Sequence, residues 1–119
     1  HLGKVTLGLD WGAYESFLRL PALALQEDVQ EAMRALHEFV ADDPPLLTYV
    51  FHQIGNSRRA DKAFIFMKFL LREGYQANEI HFSSAINACA KCSAWVEALD
   101  LVATMAVRGV DMNIIAFSA

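Results

Sequence analysis

Residues 82–109 read FSSAINACAKCSAWVEALDLVATMAVRG, and the spacing of their apolar side chains decides the fold class. Phe82, Ala85, Ile86 and Cys89 recur at intervals of three and four, which places them on one stripe of a helix. Trp95, Leu99, Val102 and Met105, joined by Ala98 and Leu101, make a second such stripe. Between the stripes the chain breaks at CSAW (92–95), and Gly109 stands where a helix ends on a left-handed residue. The stretch therefore predicts two short antiparallel helices joined by a tight turn.

The same layout precedes it. A first helix is expected near Thr48–Ser57, a break at SRRA (57–60), and a second helix near Asp61–Glu73 closed by Gly74. Gly74 and Gly109, Ala63 and Ala98, and Asn78 and Asn113 are each 35 residues apart. In that register Leu47 falls on Phe82, Thr48 on Ser83, Phe51 on Ile86, Phe66 on Leu101 and Leu70 on Met105. Helix pairs recurring at a fixed period predict an all-α fold, a solenoid of stacked antiparallel helix-turn-helix units. Residues 44–78 and 79–113 are the two units, and IIAFSA at 114–119 restarts the cycle with Phe117 and Ser118 in the places of Phe82 and Ser83. Upstream, 27–40 is an amphipathic helix with Val29, Ala32, Met33, Leu36, Phe39 and Val40 on one side. A first helix before it is expected to end or kink at Pro21. Residues 1–43 thus read as a degenerate or capping unit, with no assignment for 1–11. The absence of an initial Met and the stop in mid-pattern read as a piece of a longer repeat protein.

Composition narrows the function. A chain of 119 residues, 55% hydrophobic, suffices for one small domain. Its longest apolar run, Ala63–Leu71, is broken by Lys68 and falls short of the roughly 20 residues of a membrane span. The net charge of −4 argues against a broad nucleic-acid surface but leaves room for a narrow one. No Gly-rich phosphate loop, His-Glu zinc helix or paired-carboxylate cleft emerges, so no catalytic residues, metal or cofactor are expected. The pair Cys89 and Cys92 sits at the C-terminal end of a predicted helix, where the dipole disfavours thiolate. A zinc site would need two more ligands, so both cysteines are read as packing. Trp95 is likewise assigned to the core, on the stripe it shares with Leu99. His37, His52 and His81 read as polar helix-face residues, with His81 alone close enough to Ser83 to touch a ligand. The acids of helix 27–40 read as a solvated face, and Asp42-Asp43 as a capping turn.

Residues 79–113 resemble a pentatricopeptide repeat. The matching elements are Ile80-His81-Phe82, Ser83, Ile86-Asn87-Ala88-Cys89, Lys91, Glu97-Ala98-Leu99-Asp100-Leu101, Met105, Gly109-Val110 and Asn113, on the family's period of 35. Residues 44–78 match more loosely. The resemblance implies a right-handed superhelix that binds single-stranded RNA along its first helices, one base per repeat. It further implies base reading by Thr48 with Asn78 and by Ser83 with Asn113, Ser118 beginning a third pair. Hydroxyl and carboxamide supply donors and acceptors without charge, and this combination resembles the family's adenine-preferring one. Base clamping falls to Ile80 and Ile115, with Pro45 departing from the usual aliphatic residue, and phosphate contact to Lys91. A mitochondrial or chloroplast role in RNA processing, stability, editing or translation is implied by resemblance alone. The alternative is a tetratricopeptide-like scaffold that binds protein partners; its period is 34 and its Trp-Leu-Gly-Tyr signature is missing here.

Overall fold

The computed structural model describes residues 11–21 and 23–111. They form six helices: α1 Gly12–Arg19, α2 Gln26–Val40, α3 Pro44–Asn56, α4 Ala60–Arg72, α5 Glu79–Lys91 and α6 Trp95–Val107. Among the described residues there is no strand, so this part of the chain is all-α, and none of its helices is long and apolar enough to cross a membrane.

Local chemistry sets the helix ends. α1 stops at Arg19, before Pro21, because the residue preceding a proline is pushed out of the helical region; Leu20 is extended at φ −60, ψ 131. α3 begins at Pro44, ahead of the start near Thr48 read from the apolar spacing. Proline suits a first helical turn, and the Asp43 carboxylate accepts from the Leu46 N–H at 3.2 Å. Asp43 is thus the cap expected of the Asp42-Asp43 turn. α3 and α5 then end alike. Arg58 (φ 61) and Ser93 (φ 60) are left-handed, and the next amides reach back five residues, Arg59 N to Ile54 O at 3.3 Å and Ala94 N to Cys89 O at 2.9 Å. Gly74 (φ 83) and Gly109 (φ 72) close α4 and α6 in the same way, as their positions in the sequence predicted.

The core runs along the contact of α3 with α5, with α4 packed across them and α6 against α4 and α5. Phe66 is its aromatic centre, with ring centroids 5.7 Å from Phe17, 6.0 Å from Phe51 and 6.5 Å from Phe69. The two first helices approach closely at Gly55, where a Cβ would lie 3.2 Å from both Cα and Cβ of Ala88. The α1–α2 unit is fastened by cations. Leu18 O and Leu20 O, at the exposed carbonyl end of α1, accept from Arg59 Nη1 (2.8 Å) and Nη2 (3.2 Å), and Leu20 O also accepts from Lys62 Nζ at 2.6 Å. The Lys62 ammonium is buried over the Phe17 ring at 5.6 Å, with Asp61 3.7 Å away as counter-charge.

α6 corrects one expectation. Ala98, Leu101 and Met105 are buried, but Trp95 is 43% and Leu99 60% exposed, alongside Val96 and Val107. The physical reason is that α6 packs on α4 and α5 along one side only, so the wider stripe read from the sequence is divided between core and surface.

Candidate nucleic-acid interface

The outer stripe of α5 carries Ile80, Ser83, Asn87 and Lys91, one from each successive turn. Ile80 and Lys91 are exposed and Ser83 and Asn87 half-buried, while the residues between them face the core. On the adjacent α3 the corresponding stripe is Pro45, Thr48, His52 and Asn56, with all but the half-buried Thr48 exposed. The two stripes are tied at their C-terminal ends. Lys91 Nζ donates to Asn56 Oδ1 at 2.9 Å, and Arg58 Nη1 donates to Lys91 O at 3.2 Å. Between them and the start of α6 lies a groove of about 460 Å³ whose lining includes His52, Gly55, Asn87, Lys91 and Trp95.

The polar groups assigned to base reading are partly committed to the fold. Asn78 is the N-cap of α5: its Oδ1 accepts from the His81 N–H at 2.9 Å, while the His81 Nδ1 accepts from the Asn78 N–H at 3.2 Å. This reciprocal box uses histidine at the position where Glu or Gln ordinarily stands. The amino half of the exposed Asn78 carboxamide stays available as a donor. The Thr48 hydroxyl donates back to Pro44 O at 3.4 Å within α3, which leaves its lone pairs as acceptors. Neither Thr48 nor Ser83 caps a helix; both lie in helix interiors.

His81 is not the ligand-facing residue the sequence suggested. It is buried because its ring bridges the N-termini of the two first helices. With Nδ1 accepting from Asn78 N–H, the proton belongs on Nε2, which donates to Pro44 O at 3.1 Å. Burial pushes its pKa down, outweighing the upward pull of the Pro44 carbonyl and Glu79, so the neutral ring is the form built into the fold. His37, half-buried, turns edge-on to Phe69 and Tyr75, whereas His52 is exposed on the groove.

Comparison with protein-family models, with curated proteins and with solved structures finds no match.

Asn113, Ile115 and Ser118 lie outside the described residues; of the rest of the assigned set, Pro45 and Thr48 lie on the α3 stripe, Ile80, Ser83 and Lys91 on the α5 stripe, and Asn78 caps α5. Cys89 and Cys92 are both free, and Cys89 is buried, its thiol pushed up to about 12 mainly by desolvation, as an inert packing residue would be. Among the described residues no group of three or more His, Cys, Asp or Glu side chains could hold a metal ion. Sequence reasoning missed the groove residues Asn87, His52 and Trp95. Asn87 carried a usable signal, since it is four residues from both Ser83 and Lys91 and therefore on their face.

Proposed function

We propose that this chain is a pentatricopeptide-type helical repeat that binds single-stranded RNA along α3 and α5, reading bases without doing chemistry on them. The repeat reading draws support from the helix bounds: α3 (44–56) and α5 (79–91), and likewise α4 (60–72) and α6 (95–107), are offset by the same 35 residues. The left-handed pairs Arg58 and Ser93, and Gly74 and Gly109, carry that offset too. Packing of α3 on α5 and of α4 on α6 is the stacking that a solenoid needs.

The observation that carries the RNA reading is the accessible stripe on α5, where an aliphatic residue, a hydroxyl, a carboxamide and an ammonium follow one another in order. An apolar edge at Ile80 suits a base face, Ser83 a base edge and Lys91 a phosphate. Beside it, Thr48 offers an acceptor and Asn78 a donor, which complements the amino group and adjacent ring nitrogen of adenine. Adenine preference and an organellar role follow the family resemblance.

The test is a fluorescence-anisotropy titration of an A-rich single-stranded RNA at low salt, run with the chain and with its Ser83→Ala/Asn113→Ala double variant. Weaker binding by the variant is expected; equal binding by both proteins would eliminate base reading by this pair. A second reading, a protein-binding helical scaffold, is favoured by the exposed Val96, Leu99 and Val107 of α6. It becomes the better one if neither protein binds RNA.

A further inference from the structure

Among the polar groups of the groove beside α5 that base reading and phosphate contact leave unused is Asn87. Asn87 lies between Ser83 and Lys91, four residues and about 6 Å of helix rise from each. Among the described residues, its Oδ1 is the buried side-chain oxygen left without a hydrogen-bond partner. Neighbouring polar groups are committed: the Thr48 hydroxyl to Pro44 O, Asn78 Oδ1 to the His81 N–H, and Asn56 Oδ1 to Lys91. Buried polar atoms in folded proteins find partners almost without exception, and Asn87 is a groove residue, so an acceptor left unmatched within the protein points to a donor that arrives from outside. The terminal torsion of Asn is broad and two-fold, so rotation about it brings the carboxamide oxygen, buried in this structure, to the groove.

The order of groups along α5 says what that donor is. A nucleotide presents base, ribose and phosphate in sequence; with its base at Ser83 and its phosphate at Lys91, the ribose lies opposite Asn87. The ribose 2′-hydroxyl is a donor that DNA lacks. We propose that Asn87 accepts a hydrogen bond from the ribose 2′-hydroxyl and thereby distinguishes RNA from DNA at the nucleotide whose base Ser83 contacts. This inference rests on the reading of the α3–α5 face as a single-strand interface.

Oligo(A) RNA and oligo(A) DNA of equal length differ only in the 2′-hydroxyl, so they are the probes. Both are titrated at low salt against the 119-residue chain, Asn87→Leu, Asn87→Ser and Ser83→Ala, with thermal melts confirming that each variant folds. Wild type is expected to bind RNA more tightly. Asn87→Leu lowers RNA affinity by about three- to tenfold, the size of one hydrogen bond, and leaves DNA affinity unchanged. Asn87→Ser, which keeps a smaller acceptor, falls between. An RNA-to-DNA ratio unaltered by Asn87→Leu, while Ser83→Ala still weakens both probes, overturns the Asn87 assignment alone. Binding of neither probe by wild type overturns the interface reading and this inference with it.

Discussion

The proposed RNA reading gives Asn78 a second job beside capping, on the opposite end of the same carboxamide, and substitution can separate the two. Its oxygen caps α5 through the His81 N–H at 2.9 Å, and its amino group is the donor left for a base. Asn78→Ala removes the cap, a loss of about 1 kcal/mol, while the companion bond from the Asn78 backbone N–H to His81 Nδ1 survives because it needs no Asn78 side chain. For a chain of 119 residues that loss lowers the melting midpoint by about 3–5 °C. Asn78→Asp keeps an acceptor at the same place and adds negative charge at the positive end of the α5 dipole, worth roughly 0.3–1 kcal/mol. Its melting midpoint should therefore equal or exceed that of wild type. In an A-rich RNA titration the order reverses. Asp offers no donor and sets a carboxylate beside the phosphates, so Asn78→Asp binds no better than Asn78→Ala. Melting by circular dichroism and anisotropy on the same three proteins give both readings. The reasoning is refuted if Asn78→Asp melts with Asn78→Ala, or if it binds RNA like wild type.

Four further outcomes follow from the packing. Because burial lowers the His81 pKa, the unfolded chain takes up a proton first as pH falls; its stabilisation is fully present above about pH 6.5 and is lost below it. The urea midpoint should drop between pH 7.5 and 5.5, and drop less in His81→Gln; identical slopes would contradict the buried neutral ring. A thiol reagent at pH 8 should titrate Cys92 in the native chain and Cys89 only on unfolding, since the latter is buried and pushed up to about 12. Ser93→Gly relieves a left-handed residue at φ 60 and should raise stability by up to about 1 kcal/mol, measured by urea unfolding, whereas Gly74→Ala at φ 83 should lower it by a similar amount. Gly55→Val presses side-chain atoms onto Ala88 beyond the 3.2 Å already found for a Cβ and should lower stability by about 1–3 kcal/mol in the same assay.

How much of this was legible beforehand varies with the range of the interaction. The six-helix layout followed from local spacing: α2, α4 and α6 begin and end close to where three-and-four periodicity and glycine punctuation put them. The start of α3 was placed near Thr48 although Asp42-Asp43 read as a capping turn, because Pro44 to Leu47 precede the periodic stretch, and the capping role of Asn78 at the start of α5 signals only through its side-chain oxygen. The Asn78–His81 spacing is that of a capping box, but histidine in place of the usual acid disguised it. Long-range fastening left no local trace. Arg59 and Lys62 reach carbonyls 39 to 42 residues away, and nothing near either cation in sequence marks it as a helix cap. The exposure of Trp95 and Leu99 was hidden for a different reason: an apolar stripe says that a side is able to pack, and tertiary contacts decide how much of it does. In the proposed interface, chemical type and helical spacing put Ser83 and Lys91 on one stripe of α5. The division of Asn78 into a committed oxygen and an available amine, and the orphaned oxygen of Asn87, required the packed structure.

The central claim is that single-stranded RNA lies along the outer stripes of α3 and α5. Amide chemical-shift mapping of the isotope-labelled chain during titration with oligo(A) RNA tests it most directly. The account predicts a continuous band of perturbed amides through Thr48, Asn78, Ser83, Asn87 and Lys91, with Val96, Leu99 and Val107 of α6 unmoved. Perturbations confined to α6, or none on α3 and α5 at saturating RNA, would contradict it.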